Sequence, residues 1–206
     1  MRAFIYAGGS ILADNITEHP KGDDLCIAAD AGYRNAQELG ERVNILIGDF
    51  DSLGTIPEGD MEVLQVPAEK DLTDTQIAVE TALARGADEI ILIGGLGSRM
   101  DHSLSTLAIL EDLRERHVHA HINNGYNRVH YLNAASTLIL RSGFRYLSVL
   151  AIDEKIKGLS IDGCKYPLKR ATLNRRLQYA ISNEITGNCA MISLRRGRIF
   201  VIESRD

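Results

Sequence analysis

Asp49 and Asp51 stand one residue apart at the end of the apolar run Ile45-Leu46-Ile47-Gly48. An apolar run without polar alternation reads as a strand buried on both faces, as in a parallel sheet. In extended chain, residues i and i+2 point the same way, so the two carboxylates would converge. Like charges that close repel, and a divalent cation relieves the repulsion. A plainer arrangement fits equally well, with one Asp capping a helix and the other solvated in a turn. The motif alone does not choose.

Other residues of the right type stand nearby in sequence. Lys70-Asp71-Leu72-Thr73-Asp74 adds two carboxylates, Asp71 and Asp74, ahead of a helix. An acid in a first helical turn is also favoured by the helix dipole alone. Gly94-Gly95-Leu96-Gly97-Ser98-Arg99-Met100-Asp101-His102 is a glycine-rich strand-to-helix loop. Such loops let phosphate oxygens approach backbone N–H groups at a helix start. Met100 stands where the dinucleotide fingerprint has its last glycine, and the Gly-Lys-Ser/Thr ending of a P-loop is missing. Arg99 suits bidentate phosphate contact, and Asp101 suits a helix N-cap equally well. His117, His119 and His121 alternate onto one strand face, but no acidic or cysteine partner follows, so a solvated face is expected there. Ser182-Asn183-Glu184, by itself, is a polar turn.

These residues need elements to hold them. Apolar runs at 3–7, 25–29, 45–47 and 90–93 each end in glycine or aspartate, including Asp30 and Gly94-Gly95. Helices are expected over 73–85, with a Thr73/Gln76 capping box and Gly86 as its stop, and over 101–116. The second helix should turn Leu104, Leu107, Ala108, Leu110 and Leu113 to the core. Strands alternating with helices imply a parallel sheet, whose ligands bind beyond the carboxyl ends of its strands. All four polar endings would lie there. After Asn123-Asn124-Gly125 the texture changes to short β-rich runs at 129–132, 137–140, 146–152, 189–194 and 198–202, separated by turns such as Ser142-Gly143 and Arg196-Gly197. The expected fold is therefore an N-terminal parallel-sheet α/β domain, 1–124, followed by a small antiparallel β-sandwich domain, 125–206.

The chain has 206 residues, is 45% hydrophobic and carries a net charge of -5, with no long basic block. That balance argues against nucleic acid as the main partner. No run is long enough to span a bilayer and no leader pattern follows Met1, so a membrane partner is not expected. Cys26, Cys164 and Cys189 are odd in number and widely spaced, which fits reduced thiols and a cytoplasmic location.

Taken together, the motifs resemble those of thiamine pyrophosphokinases (thiamine diphosphokinases). The resemblance rests on Ala29-Asp30-Ala31-Gly32, Gly48-Asp49-Phe50-Asp51-Ser52, Asp71-Leu72-Thr73-Asp74, the loop 94–102 and Ile181-Ser182-Asn183-Glu184, in the family's order along nearly the whole chain. It implies an α/β catalytic domain, a C-terminal domain that binds thiamine, and a homodimer with shared active sites. It also implies transfer of a diphosphoryl group from ATP to the thiamine hydroxyl, giving thiamine diphosphate and AMP. By resemblance Asp49, Asp51 and Asp74, with Asp71 beside them, bind Mg²⁺. Asp74 or a neighbouring carboxylate takes the hydroxyl proton. Asp30, Gly95, Gly97, Arg99, Asp101 and His102 lie at the nucleotide, and Ser182, Asn183 and Glu184 at thiamine. Two departures stand out. Ala31 replaces the second residue of a frequent Asp-Gly-Gly, and the chain has no tryptophan, the residue on which animal enzymes of the family stack thiamine. The alternatives are a diphosphokinase of another heteroaromatic alcohol, such as a pterin, and a non-catalytic nucleotide or vitamin sensor. Four clustered acids weigh against a sensor.

Overall fold

The structure, a computed structural model, describes residues 1–51, 57 and 59–206. Ser52, which closes the motif at 48–52, lies outside the described residues. The chain divides into two units, Met1–Gly125 and Tyr126–Asp206.

The first unit holds strands β1 (Arg2–Tyr6), β2 (Leu25–Ala29), β3 (Ile45–Gly48), β4 (Glu62–Gln65), β5 (Glu89–Ile93) and β6 (His119–Asn123). They lie in the order β4-β3-β2-β1-β5-β6, and every neighbouring pair is parallel. Ile5, Ile27, Leu46, Ile91 and Leu92 are completely covered, as strands flanked by helices on both faces require. Helices α1 (Gly32–Glu38), α2 (Asp74–Ala84) and α3 (Met100–Glu115) supply part of that cover. From β1 the chain winds outward through β2, β3 and β4, then returns to place β5 on the other side of β1. The reversal falls between β1 and β5, where doubly wound sheets open a crevice for ligands.

Helix α2 starts as its sequence predicts. Gln76 N donates to Thr73 Oγ1 at 3.2 Å and Thr73 N donates to Gln76 Oε1 at 3.0 Å, completing the capping box. Helix α3 differs from its expected orientation. Its buried residues are Ser103, Thr106, Ile109, Leu110 and Leu113, while Leu104 is 58% exposed. Leucine count suggested one face, but small polar residues at 103 and 106 let the first turns approach the glycine loop. Helix α1 has no capping side chain to announce it. It is held by Gly32, where a Cβ would come within 1.9 Å of the Tyr6 carbonyl oxygen, so only glycine permits this approach of helix to strand. Ala31, by contrast, sits in ordinary right-handed helical conformation, and its methyl group costs nothing.

The second unit is all β. Strands β7 (Asn127–Asn133), β8 (Ser136–Leu140), β9 (Tyr146–Ala151), β10 (Lys155–Asp162), β11 (Leu168–Asn174), β12 (Cys189–Ser193) and β13 (Arg198–Ser204) pair antiparallel. They form two faces, β7-β13-β9 and β11-β10-β12-β8. Leu147, Val149, Ile199 and Val201 from one meet Ile156, Leu159, Leu173 and Ile192 from the other in a single apolar cluster. This is the expected sandwich, with β10 and β11 added. One carboxylate is buried in this unit: Glu203, 2% exposed, accepts from Ser142 Oγ at 2.8 Å and lies 3.5 Å from Arg128 Nη1 and 3.6 Å from His130 Nε2. Burial pushes its pKa up, but the contacts with His130, Ser142 and the Arg128 charge outweigh burial and leave it below the usual range.

Candidate functional site

At the carboxyl ends of the parallel strands the first unit has a cavity of about 680 Å³. Its floor is where the loops after β1 and β5 meet. Gly95 N donates to the Gly8 carbonyl at 2.7 Å, and Gly97 N donates to Ser103 Oγ at 3.1 Å. Both amides are therefore engaged inside the protein rather than offered to a phosphate. The glycines act by closeness instead: a Cβ on Gly97 would stand 3.3 Å from Gly9 Cα. Gly8, Gly9, Gly95 and Gly97 all line the cavity, so this part of its wall is backbone without side chains.

Carboxylates ring this floor. Asp30 follows β2, Asp49 follows β3, and Asp71 and Asp74 precede or begin α2; all four line the cavity, as do Arg99 and His102. Asp51 is placed otherwise. Phe50 has φ 66°, so the chain leaves extended conformation, and Asp51 N instead donates to Asp49 Oδ1 at 3.1 Å. The same-side argument from alternation fails here. The two acids form a turn, with Asp51 exposed and outside the cavity lining. Asp101 does not cap α3, whose N-cap is Arg99. It pairs instead with the Arg99 guanidinium, Nη2 to Oδ2 at 2.6 Å, and that bond holds its carboxyl below the usual range.

Lys70 is the cavity residue that motif reading passed over. Its ammonium donates to the Pro67 carbonyl at 2.9 Å and lies 3.1 Å from Asp74 Oδ1. That carboxylate oxygen is buried and accepts no well-aligned hydrogen bond among the described residues, so the Lys70 charge is what offsets it. Among the described residues no three acidic, histidine or cysteine side chains form a ready metal cage. Mg²⁺ does not need one, since it keeps several waters and takes one or two carboxylates together with substrate phosphates. The hard oxygens of Asp49 and Asp74, one of them balanced by a side-chain cation, fit that mode. The three histidines of the run at 117–121 are placed differently from one another. His117 lies in a turn, His119 is exposed on β6, and His121 is not solvated as expected but pairs with Glu18 at 2.9 Å.

In the second unit Ser182, Asn183 and Glu184 lie between β11 and β12. Ser182 has φ 55° and its N–H donates to Ser148 Oγ at 3.0 Å. Asn183 is only 4% exposed; its Oδ1 accepts from Tyr166 N at 3.0 Å and its Nδ2 donates to Tyr166 O at 2.8 Å. Glu184 pairs with Lys165 at 3.3 Å. Around this loop Tyr166, Tyr179 and Ile181 present exposed apolar surface.

With that geometry in place, comparison with known proteins decides the family. Residues 17–122 match the model of the thiamin pyrophosphokinase catalytic domain, and residues 136–199 match that of the thiamin pyrophosphokinase vitamin B1 binding domain. The chain belongs to the thiamin pyrophosphokinase family. A thiamine pyrophosphokinase of Bacillus subtilis is 28% identical over 209 residues, covering 98% of each chain. Thiamin pyrophosphokinase 1 of Caenorhabditis elegans is 25% identical over 170 residues, covering 78% of this chain and 70% of its own. Among solved structures, a thiamine pyrophosphokinase from Bacillus subtilis superposes with a TM-score of 0.86 at 26% identity over all of both chains. One from Geobacillus thermodenitrificans gives 0.84 at 26% identity, covering 100% of this chain and 98% of its own. The family is one of enzymes, so the protein is an enzyme rather than a sensor. A pterin diphosphokinase is not favoured either, because both matching models are thiamin pyrophosphokinase models.

Proposed function

We propose that this protein is an ATP-dependent thiamine diphosphokinase, forming thiamine diphosphate and AMP from thiamine and ATP. The single observation that supports it most is the convergence of Asp30, Asp49, Asp71 and Asp74 on one cavity at the switch point of a parallel sheet, in a chain of this family. Binding alone seldom requires so many carboxylates in one place.

Phosphoryl chemistry is mostly positioning and charge control. The glycine floor at 95 and 97 receives the phosphate chain, and Arg99, within reach of the same loop, exchanges Asp101 for a phosphate oxygen. His102 lines the same wall, and Asp30 holds the nucleotide side of the cavity. Asp49 and Asp74, with Asp71 beside them, would hold Mg²⁺; Asp51, exposed and outside the cavity lining, would join them only by turning inward. Held there, the ion would supply positive charge against the phosphates. Asp74 or a neighbouring carboxylate accepts the proton from the attacking hydroxyl.

The unit Met1–Gly125 is the catalytic, ATP-binding part and Tyr126–Asp206 the thiamine-binding part, in keeping with the two family models. Ser182 and Glu184 face the vitamin, and the Glu184 carboxylate suits its cationic ring. Tyr166 is a stacking surface in a chain without tryptophan. The working form is a homodimer in which each site takes its acidic loops from one chain and its 182–184 loop from the other. Cytoplasmic placement agrees with three free cysteines, one of them a Cys26 thiol that burial pushes up to about 11. Among the described residues no helix is long and apolar enough to cross a membrane.

The test is product analysis after incubation with Mg-ATP and thiamine, with a hydroxymethyl pterin in parallel. Thiamine diphosphate with AMP supports the reading. ADP as the nucleotide product, or turnover of the pterin alone, overturns it.

A further inference from the structure

The cavity holds four carboxylates, yet its natural visitor on the reading above is a polyanion. Something positive must meet the phosphates besides a metal. Arg99 is mostly outside: its side chain is 69% exposed and engaged with Asp101. Lys70 is the better placed cation. Its side chain is only 15% exposed, it lines the cavity, and it sits on Asp74, itself only 24% exposed. An exposed lysine four residues from an aspartate contributes little to stability and is often found in several rotamers. This one is anchored twice, by the Pro67 carbonyl and by the buried Asp74 oxygen. An ammonium has three donors; the Pro67 carbonyl takes one by hydrogen bond, and Asp74 is met as an ion pair.

We propose that Lys70 is a phosphate-binding residue of this site, whose ammonium balances Asp74 when the cavity is empty and bridges Asp74 to the phosphate chain when nucleotide enters. The proposal rests on the nucleotide reading of the cavity and adds a role to a residue that the acidic motifs leave aside. The physical logic is exchange. With the cavity empty, the Asp74 oxygen has no other cation among the described residues. With phosphates present, negative charge rises on the cavity side, and a lysine already desolvated needs to move little to meet it. A compact, rotatable ammonium is suited to this handover, whereas a planar guanidinium fixed to one partner is less so.

The test compares binding of ATP, ADP and AMP by calorimetry, with and without Mg²⁺ and without thiamine, for wild type, Lys70→Met and Lys70→Arg. Methionine keeps the length of the stem and removes the charge. Lys70→Met should weaken ATP and ADP by about tenfold or more, the worth of one charged hydrogen bond. AMP, which lacks the distal phosphates, should bind within twofold, and Lys70→Arg, which keeps the charge without the compact head, should recover only part of the ATP affinity. ATP and ADP affinities within twofold of wild type in Lys70→Met would overturn the proposal. So would equal weakening of all three nucleotides, which would mark Lys70 as a support for α2 and its loop. Should Lys70→Met not fold, Lys70→Gln carries the same comparison. Wild-type protein that binds ATP but makes no thiamine diphosphate would overturn the reaction assignment alone and leave the Lys70 comparison standing.

Discussion

The side-chain amide of Asn183 grips the backbone of Tyr166 at both ends, accepting from its N–H at 3.0 Å and donating to its carbonyl at 2.8 Å. Asn183 also accepts from Glu184 N at 2.9 Å, so one buried amide ties the 182–184 loop to the segment bearing Lys165 and Tyr166. Its first effect is thus on the shape of the surface proposed above for the vitamin. Asn183→Ala leaves two Tyr166 backbone groups without their partner and should cost about 2–4 kcal/mol. Asn183→Asp turns a donor into an acceptor facing a carbonyl and should also destabilise. Urea unfolding checks the stability loss, and calorimetry with thiamine should show weaker binding alongside it. Lost thiamine affinity at unchanged stability would instead indicate direct contact between Asn183 and the vitamin.

Asp49 offers a cleaner substitution. Asn at this position keeps the oxygen that accepts from Asp51 N, so the turn survives while the charge goes. Turnover at saturating Mg²⁺ should drop by about 100-fold or more, as for loss of a group that stabilises transition-state charge. Thermal stability without ligand should be equal or slightly higher, because repulsion with the other cavity acids is relieved. Steady-state kinetics and a melting curve check both halves, and turnover within a few fold of wild type contradicts the role.

How much of this was legible in the sequence follows from what each element depends on. The strands at β1, β2, β3 and β5 and the capped start of α2 depend on local pattern, and local pattern showed them. Helix α1 depends on Gly32 reaching Tyr6, a contact across the sheet that no local signal carries. Strand β4 is a short, mostly exposed edge, and β11 is a polar edge that buries only Leu173, so neither shows an apolar run. The β10 alternation is broken by register shifts around Gly158, which has φ 73°. At the site the acids stand out by type, but the relative direction of Asp49 and Asp51 does not, because one left-handed residue, Phe50, undoes a strand's alternation. Lys70 was missed because a lone lysine looks like surface until its cavity is seen.

Glu203 sets a pH dependence. Its folded pKa lies below its ordinary value of 4.5, so its ion pairing stabilises the fold fully above that value. The contribution is lost as pH falls from 4.5 through the folded pKa, where the unfolded chain no longer holds more protons. Glu203→Gln should therefore lower stability above pH 5 by about 1.5–3 kcal/mol, the worth of a charged hydrogen bond. The difference from wild type should shrink as pH falls below 4.5. Denaturant titrations across pH 3 to 7 check this, and a constant difference over the whole range contradicts it.

Sharing of sites between two chains has its own signature. Asp49→Asn damages the acidic half of a site and Glu184→Ala the vitamin half. After subunit exchange, a mixed dimer holds one site with both lesions and one with neither. Equal mixing should restore about a quarter of the sites. Tagged pull-down confirms that exchange has occurred; exchange without recovered activity shows that each site lies within one chain.

Diphosphoryl transfer is read from the fate of the two terminal phosphorus atoms of ATP. Wild-type protein is incubated with Mg²⁺, thiamine and ATP labelled at either the β or the γ phosphorus, and the products are separated. Both labels should appear in thiamine diphosphate, with unlabelled AMP as the other product. Label in a thiamine ester from γ-labelled ATP alone, with the β label left in ADP, would contradict diphosphoryl transfer.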